Sequence, residues 1–325
     1  MNFPSQNQPN SFLTSDKNYL SVPNNRQARH SETVTRYLTA STSDNTRKAY
    51  RADLEHFLAW GGTVPANPEM IAEYIAAHAE ELAVSTLTRR LAAISKTHSM
   101  QGHESPTKSD LVRDVMKGIK RSHGKPVHQK APVLKADVVA MVVGLGAGLK
   151  DIRDKALLLI GFSGGFRRSE IVGLKCTDIE WKQEGIVLTL RRSKCDQEGR
   201  GRKVAVPYAT GNTCPVKALR AWLDAVRIDQ GPVFRAVDRH GNVSASHLSP
   251  EVVALVVKER ATAVGMDASR FSGHSLRAGL VTSAANAGVD TWKIRRQTGH
   301  ASEATLQKYI RSGEQFSAND LGSLL

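Results

Sequence analysis

The sequence contains little cysteine and no long apolar run. Its 325 residues include three cysteines, Cys176, Cys195 and Cys214, and none belongs to a Cys-x-x-Cys pair. This spacing argues against a structural zinc site and a disulfide framework, and it indicates a reducing compartment. No apolar run approaches the roughly 20 residues that cross a bilayer. The first residues also lack the charged start and apolar core of a secretory signal. We therefore expect a cytoplasmic protein with no membrane partner.

Acidic residues are also in short supply. Lysine and arginine number 45 against 31 aspartates and glutamates, which gives a formal net charge of +14. This excess favours a polyanionic partner, because lysine and arginine displace the counterions condensed on nucleic acid. A basic protein whose charges are simply solvated is the alternative. The apolar fraction of 40% is that of a soluble globular protein, and the length is sufficient for two domains.

Composition divides the chain into four segments. Residues 1–26 are rich in Asn, Ser, Gln and Pro without any period, and we expect a disordered tail there. Residues 27–121 carry apolar side chains at helical spacing and predict a helical domain. Residues 122–132 combine cations with glycine and proline, which is typical of an exposed linker, although the charge also suits a strap on a phosphate backbone. Residues 133–325 predict a second domain.

The second domain is expected to be mostly helical with one small sheet. Apolar residues recur at helical spacing over much of its length. Two stretches instead read as strands, at 185–190 and 203–207, and a polar loop with Gly199 and Gly201 joins them.

The last part of the chain concentrates residues that can act on a phosphate. His274 and Arg277 lie in one short stretch, His300 follows Gly299, and Tyr309 comes shortly afterwards. Arginine binds phosphate oxygens through a planar fork, histidine moves protons near neutral pH, and tyrosine can be a nucleophile. Taken singly, each residue is better explained by packing or helix capping. Their combination and order indicate chemistry on a phosphate.

Two earlier segments add further cations. The stretch from Gly164 to Glu170 contains Arg167, and its glycines let the backbone approach a ligand while Glu170 can orient an arginine. Lys194 ends a predicted strand just before the loop, where a lysine can reach into a groove and protonate a leaving oxygen. Alone, the first stretch is more simply a surface turn, and Lys194 is one solvated cation among many.

In this order, the residues resemble the signature of the tyrosine recombinase (phage integrase) family, which reads Arg, Lys, His-x-x-Arg, His or Trp, Tyr. The matching residues are Arg167, Lys194, His274, Arg277, His300 and Tyr309, with Glu170 at the accessory acidic position. The resemblance spans residues 27–325, and the stretch 272–279 with Tyr-Ile-Arg at the nucleophile is most similar to Cre-type members. There are two departures. Cre-type members have tryptophan at the position of His300, and many members have His-Thr or His-Ser in place of Ala278-Gly279.

The resemblance implies a fold, an activity and partners. The fold is mainly α with a small antiparallel β-sheet, in which an N-terminal helical core-binding domain and a mixed α/β catalytic domain form a C-shaped clamp. The activity is that of a site-specific DNA recombinase, which cleaves and rejoins strands through a 3′-phosphotyrosyl intermediate. The partners are double-stranded DNA with a specific recombination site and further copies of the chain, as a tetramer on two DNA sites. The protein is then expected to be associated with the nucleoid.

The resemblance also implies a role for each residue. Six residues act on the phosphate or its protons: Tyr309 attacks, Arg167 and Arg277 bind non-bridging oxygens, His274 manages the tyrosine proton, His300 hydrogen-bonds the phosphate, and Lys194 protonates the leaving 5′-hydroxyl. Glu170 positions the others. Because the covalent intermediate keeps the bond energy, no ATP is needed. No cluster of acidic ligands accompanies these residues, so we expect neither a metal nor another cofactor.

The N-terminal helices carry the candidate DNA contacts. By spacing and charge, these are Arg47, Lys48, Arg51, Arg89 and Arg90. Most are expected to contact phosphate, which sets affinity and register rather than sequence; a solvated helix face is the alternative. The residues after Tyr309 are expected to dock as a short helix, either on a neighbouring copy or on their own domain. Two rival functions remain open, a type IB topoisomerase and a catalytically silent DNA-binding protein.

Overall fold

The computed structural model of the protein describes residues 31–125, 129–191, 201–300, 303 and 306. Contacts between residues divide the chain into two units, Met1–Val127 and His128–Leu325. Each unit has its own hydrophobic core, and each is described separately below.

Five α-helices form the described part of the N-terminal unit. Four of them begin at a side-chain cap, where a backbone N–H group donates to the side chain at 3.3, 3.3, 2.8 and 3.3 Å; the capping residues are Ser31, Ser43, Asn67 and Ser109. Such caps satisfy N–H groups that have no partner within the helix. The helices are α1 (Glu32–Ala40), α2 (Asp44–Ala59), α3 (Pro68–Ala77), α4 (Val84–Met100) and α5 (Asp110–His123).

The core of the N-terminal unit lies between α2, α3, α4 and α5. Phe57 of α2, Tyr74 of α3, Leu87 of α4 and Met116 of α5 are buried there. Apolar residues recur every three or four positions in these helices, so each helix turns one apolar face inward. The helical character predicted for this part of the chain is confirmed.

Seven α-helices and five short strands make up the described part of the C-terminal unit. The helices are α6 (Lys135–Val143), α7 (Leu149–Gly164), α8 (Arg168–Val172), α9 (Pro215–Ala225), α10 (Pro250–Ala263), α11 (Ser275–Asn286) and α12 (Thr291–Thr298). The strands are β1 (Ile179–Trp181), β2 (Gly185–Leu190), β3 (Arg202–Pro207), β4 (Arg235–Val237) and β5 (Val243–His247).

The strands form two antiparallel sheets rather than one. Strands β1, β2 and β3 pair in sequence order, with Ile186 opposite Val206 and Leu188 opposite Val204, and these four side chains are buried. Strands β4 and β5 form a separate pair. The mainly helical fold with a small antiparallel sheet is confirmed, whereas the expectation of a single sheet is wrong. Strands of three to five residues are too short for apolar alternation to reveal them.

Helix α7 runs through the middle of the C-terminal core. Leu157, Leu158 and Ile160 are fully buried although they point to different sides of the helix. The second half of α7, residues 156–164, is almost entirely apolar, as expected of a helical segment enclosed by its neighbours, and α7 packs against α9 and α11. Burial within a domain explains its apolar sequence, since in the described ranges no helix is long and apolar enough to cross a membrane.

A buried ion network joins α7 to α10. Asp154 of α7 is fully buried and accepts hydrogen bonds at 2.6 Å from Arg153 and from Arg260 of α10. Arg260 also pairs with Asp151 at 2.7 Å. Because charged groups are costly to remove from water unless they are paired, these four residues depend on one another.

The segment before α6 lies against the start of α11. The N–H of Ala131 donates to the Arg270 carbonyl at 2.8 Å, and the N–H of Val133 donates to the Ser275 carbonyl at 2.9 Å. A Cβ atom at Gly279 would lie 1.7 Å from the Val133 carbonyl oxygen, so only glycine allows this approach. The end of the segment predicted as a linker therefore packs on the C-terminal unit.

Candidate active site

Arg277 is held at the meeting point of three helices. It lies in the first turn of α11 and is 1% exposed, and its Nη1 donates to the carbonyl oxygens of Gly165 at 2.7 Å and Thr298 at 2.5 Å. These carbonyls belong to the C-terminal ends of α7 and α12, where a helix carries partial negative charge and stabilises a cation. The guanidinium of Arg277 thus fixes the ends of both helices beside the start of α11.

Both helices end at a glycine whose backbone lies in the left-handed region. Gly165 follows α7 with φ of 59°, and Gly299 follows α12 with φ of 67°. Residues with a Cβ atom adopt this region at a cost, so glycine is the usual residue that ends a helix in this way. Each turn exposes the carbonyls that Arg277 binds.

Arg167 is oriented by the carboxylate of Glu170. Arg167 follows α7 and caps α8, and its Nη1 donates to Glu170 Oε1 at 2.7 Å while its backbone N–H donates to Oε2 at 2.9 Å. The Glu170 side chain is 2% exposed. Arg202 of β3 donates to Glu170 Oε2 from the other side at 3.3 Å. One buried carboxylate therefore holds two arginines.

His274 lies directly before α11, close to Arg168 of α8. A Cβ atom at Gly273 would lie 2.0 Å from Arg168 Cδ, so the chain passes against that side chain. Part of the imidazole is open to solvent, yet the surrounding chain desolvates it. This desolvation lowers the pKa of His274, and the charges of Arg277, Arg167 and Arg168 lower it further.

His300 is more deeply placed than His274. It is 9% exposed, and desolvation, followed by the charges of Arg277 and Arg167, lowers its pKa to about 3. The imidazole is therefore neutral at physiological pH. Its Nδ1 lies 2.7 Å from Thr298 Oγ1.

Arg202 is a member of the site that the sequence prediction missed. Its Nη1 donates to the Gln297 carbonyl of α12, and its guanidinium lies 6.0 Å from the centre of the Phe166 ring. The signal was present in the alternation of β3, where Arg202 shares a face with the buried Val204 and Val206. Side chains two apart lie on the same face of a strand, so this face directs Arg202 inward.

The described site residues form one group, the arginine–histidine cluster. It consists of Arg167, Arg202, Arg277, His274 and His300, held together by helix-end carbonyls and by Glu170. The charges of Arg167 and Arg277 act on both imidazoles, which shows that the cluster shares one electrostatic environment. Fixed positive charge beside neutral imidazoles can bind an anion and accept a proton.

Two predicted site residues, Lys194 and Tyr309, lie outside the described residues. Sulfur, imidazole and carboxylate ligands are not grouped for metal binding anywhere in the described ranges.

The predicted DNA contacts at the start of α2 differ in their surroundings. Arg47 donates to the carbonyls of Thr39 and Thr42 at 2.5 and 2.6 Å, so it closes the turn between α1 and α2. Lys48 and Arg51 are exposed on α2.

The two predicted contacts on α4 bind within their own unit. Asp53 is buried and accepts two hydrogen bonds from Arg89, at 2.7 and 2.9 Å. Arg90 is 8% exposed, and its Nη1 donates to His56 Nδ1 at 2.8 Å and to the Tyr74 hydroxyl at 3.1 Å. The guanidinium of Arg90 therefore points into the helical bundle, because buried polar groups there need a partner. Arg89 remains half exposed.

Comparison with known proteins finds a family match and relatives that align over most of the chain. The Phage integrase family profile matches residues 134–315. The integrase/recombinase xerD homolog of Selenomonas ruminantium is 38% identical over 321 residues, which cover 94% of each chain. The recombinase Cre of Escherichia phage P1 is 24% identical over 268 residues, which cover 76% of this chain and 77% of Cre.

A solved structure supports the fold. The XerH site-specific recombinase bound to a palindromic difH substrate, in a post-cleavage complex, aligns with a TM-score of 0.62. The alignment covers 85% of this chain and 78% of XerH at 17% identity. At that identity the likeness shows a shared fold.

Proposed function

The chain belongs to the phage integrase family, and we propose that it is a tyrosine site-specific recombinase that cleaves and rejoins DNA strands without metal or ATP. The observation that carries this proposal is the arginine–histidine cluster. Four of its five members match the family's signature: Arg167, His274, Arg277 and His300. Glu170 and the helix-end carbonyls hold the two arginines of this set in fixed orientations.

The cluster supplies the electrostatic part of the reaction. Arg167 and Arg277 neutralise the scissile phosphate and the charge that redistributes over its oxygens in the transition state. Arg202 adds a third positive charge beside Glu170. Because these charges are already fixed by internal partners, little reorganisation is needed when DNA binds.

Tyr309 and Lys194 supply the covalent chemistry. A tyrosine phenol has an ordinary pKa of about 10, so it needs a neighbouring base to attack at neutral pH. We assign that role to His274, whose lowered pKa leaves the imidazole neutral and able to take the proton. The Tyr309 oxygen forms a bond to phosphorus, the bond to the 5′-oxygen breaks, and Lys194 gives that oxygen a proton.

The second step reverses the first on a different strand. A 5′-hydroxyl from the partner duplex attacks the phosphotyrosine, the phosphorus–tyrosine bond breaks, and the phenol regains its proton. One phosphodiester bond is broken and one is formed over the two steps, so the reaction needs no energy from ATP. Positive charge from the arginines takes the place that a metal ion has in other phosphoryl transfers.

The rest of the proposal concerns assembly. The partner is double-stranded DNA carrying a specific recombination site, and the active form is a tetramer on two such sites, in the cytoplasm and associated with the nucleoid. The chain consists of a helical domain, 27–121, a linker, 122–132, and a catalytic domain, 133–325. Lys48 and Arg51, which are exposed on α2, are the favoured phosphate contacts of the helical domain.

Mapping of covalently captured DNA tests this function. The protein is incubated with genomic DNA fragments from its host, protein-linked fragments are recovered under denaturing conditions, and their common sequence is placed twice in a supercoiled plasmid. Exchange between the two copies supports the recombinase. Relaxation without exchange is the result expected of a topoisomerase, and binding without any covalent product is that of a silent DNA-binding protein.

A further inference from the structure

The side chain of Gln297 joins the last turn of α12 to two other elements. Its amide nitrogen, Nε2, donates to the carbonyl oxygen of Ser163 in α7 at 3.0 Å and to that of Ala205 in β3 at 3.1 Å. Both partners are carbonyls, which only accept, so the amide faces them with its NH₂ group and has one hydrogen for each. These two carbonyls therefore determine the orientation of the side chain.

The two carbonyls lie at a helix end and at a sheet edge. Ser163 is in the last turn of α7, where the carbonyls of a helix have no partner within it. Strand β3 is an edge strand beside β2. Tyr208 donates to the Glu184 carbonyl at 2.9 Å, and such bonded positions alternate along an antiparallel pair, so the Ala205 carbonyl points away from β2. Gln297 thus binds the outer edge of β3.

A second pair of contacts ties β3 to α12. Arg202, the first residue of β3, donates from Nη1 to the Gln297 carbonyl. A Cβ atom at Gly299 would lie 2.9 Å from Arg202 Nε, so the turn after α12 packs directly against this side chain. The end of α12 is therefore held to β3 through both the backbone and the side chain of Gln297.

These contacts bear on the residue proposed to protonate the leaving oxygen. Lys194 lies in the sequence between β2 and β3, and β3 is where that stretch rejoins the sheet. Helix α12 leads directly to His300 of the arginine–histidine cluster. The join between β3 and α12 thus links the strand that follows Lys194 to the helix that precedes His300.

We propose that Gln297 is a positioning residue for the proton donor: by holding β3 to α12, it keeps Lys194 in place relative to the arginine–histidine cluster. The proposal rests on the proposed function, because it concerns the proton that Lys194 gives to the leaving 5′-oxygen. Loss of the Gln297 amide then slows the departure of that oxygen, while the arginines still bind the phosphate.

A change of the leaving atom separates this role from general structural support. In a nicked duplex whose scissile 5′-oxygen is replaced by sulfur, the Tyr309 oxygen forms the bond to phosphorus, the phosphorus–sulfur bond breaks, and the sulfur departs as a thiolate. A thiol has an ordinary pKa of about 8.5, so a thiolate leaves without receiving a proton. A defect in the proton donor therefore slows cleavage of the oxygen substrate and spares the sulfur substrate.

Two variants of Gln297 are measured in single-turnover cleavage. Gln297→Met keeps the length of the side chain and removes both donors. We expect it to cleave the oxygen substrate about 10- to 100-fold more slowly than wild type, the range for a displaced catalytic group, and the sulfur substrate within about 3-fold of the wild-type rate. Gln297→Glu keeps the shape of the amide but has no hydrogen to donate, and the same selective loss is expected. Lys194→Ala provides the reference pattern, slow with oxygen and rescued by sulfur.

Two further variants are the controls. Glu170→Gln displaces an arginine that binds the phosphate rather than the proton donor, so it is expected to be slow on both substrates. Gln183→Met makes the same chemical change as Gln297→Met at an exposed glutamine between β1 and β2 of the same sheet. It is expected to leave both rates unchanged.

Equal losses on the two substrates in Gln297→Met, or wild-type rates on both, overturn the proposal. Lys194→Ala that stays slow with sulfur overturns it as well, because Lys194 is then not the proton donor. Failure of the recombinase assignment looks different, since the wild-type protein then forms no covalent product with either substrate.

Discussion

At the scale of single residues, the candidate site is a set of positive charges held by groups that do not react. The Glu170 carboxylate binds Arg167 and Arg202, and the carbonyls of Gly165 and Thr298 bind Arg277. Each charge is fixed before a phosphate arrives. The geometry of the cluster thus depends on residues next to it as much as on its members.

Glu170→Gln tests the importance of this support. The amide keeps the shape of the side chain but loses the charge that both arginines bind, so Arg167 is expected to shift out of position. Misplacement of a catalytic group by about 1 Å costs about 100-fold in rate. We expect single-turnover cleavage to fall by about that factor, with a smaller change in DNA binding.

Glu180→Gln is the matched control. Glu180 lies in the same unit and pairs with Lys182, but its side chain is half exposed. Loss of an exposed ion pair has little effect, so cleavage is expected to stay within about 2-fold of wild type. Equal rates for Glu170→Gln and wild type would contradict the positioning role of Glu170.

The sequence predicted the site residues that belong to recognisable motifs. It missed the residues that join the site only through the folding of the chain. Arg167, His274, Arg277 and His300 stand in recognisable motifs, and the structure brings them together. Arg202 lies 32 residues after Glu170, so nothing in the spacing linked the two. The internal partners of Arg90 were missed for the same reason. An arginine on an amphipathic helix is expected to be exposed to solvent unless its buried partners are known.

A pH-dependent stability of the N-terminal unit follows from His56. Burial lowers the pKa of His56, and so do the charges of Arg90 and His78, against smaller opposing effects of Asp53 and Glu81. The folded pKa thus lies below the ordinary value of about 6.5. The stabilisation is fully present above pH 6.5 and is lost as the pH falls through the folded value.

Thermal unfolding between pH 7.5 and 5 checks this prediction. We expect the Tm, followed by circular dichroism, to fall with pH in the wild type and in His240→Gln, an exposed histidine. The fall should be reduced in His56→Gln. A slope unchanged by His56→Gln would show that another group is responsible.

At the scale of elements, the C-terminal unit is organised around α7. The helix is buried along most of its length, its far end provides the Gly165 carbonyl to the site, and its first half pairs with α10 through Asp154. Apolar residues at helical spacing predicted that this unit is mostly helical, because a long periodic segment favours a helix through its own sequence. The short elements α8, β1, β4 and β5 depend on tertiary contacts, and for that reason the sequence did not reveal them.

Asp154→Asn tests the join between α7 and α10. The substitution leaves Arg153 and Arg260 without the buried carboxylate that both bind. Removal of one partner from a buried ion network costs about 3–5 kcal/mol. We expect chemical denaturation to report a loss of that size in the C-terminal unit.

The same two helices provide the control. Lys150 of α7 and Glu259 of α10 form an ion pair at 2.8 Å whose side chains are half exposed. Glu259→Gln is expected to change stability by about 0–1 kcal/mol, because exposed pairs are well solvated when separated. A similar loss of stability in Asp154→Asn and Glu259→Gln would show that the burial of the ion pair does not determine its contribution.

At the scale of the whole molecule, the chain joins a helical unit to a unit that carries the arginine–histidine cluster. The net charge of the chain is +14, which favours the binding of a polyanionic partner. The family match covers residues 134–315, and the xerD homolog is similar along most of the chain. Charge and motif order were enough to predict the class of partner, whereas the arrangement of the two units on DNA and the number of copies remain proposals.

The most direct test of the central claim is to identify the residue that becomes linked to DNA. The protein is trapped on a nicked duplex carrying its captured site, in the presence of EDTA, and the DNA-linked peptide is analysed by mass spectrometry. We predict a phosphotyrosyl bond at Tyr309, its absence in Tyr309→Phe, and its retention in Tyr208→Phe, an exposed tyrosine of the same unit. An adduct that survives Tyr309→Phe, or cleavage that requires a divalent metal, would contradict the account.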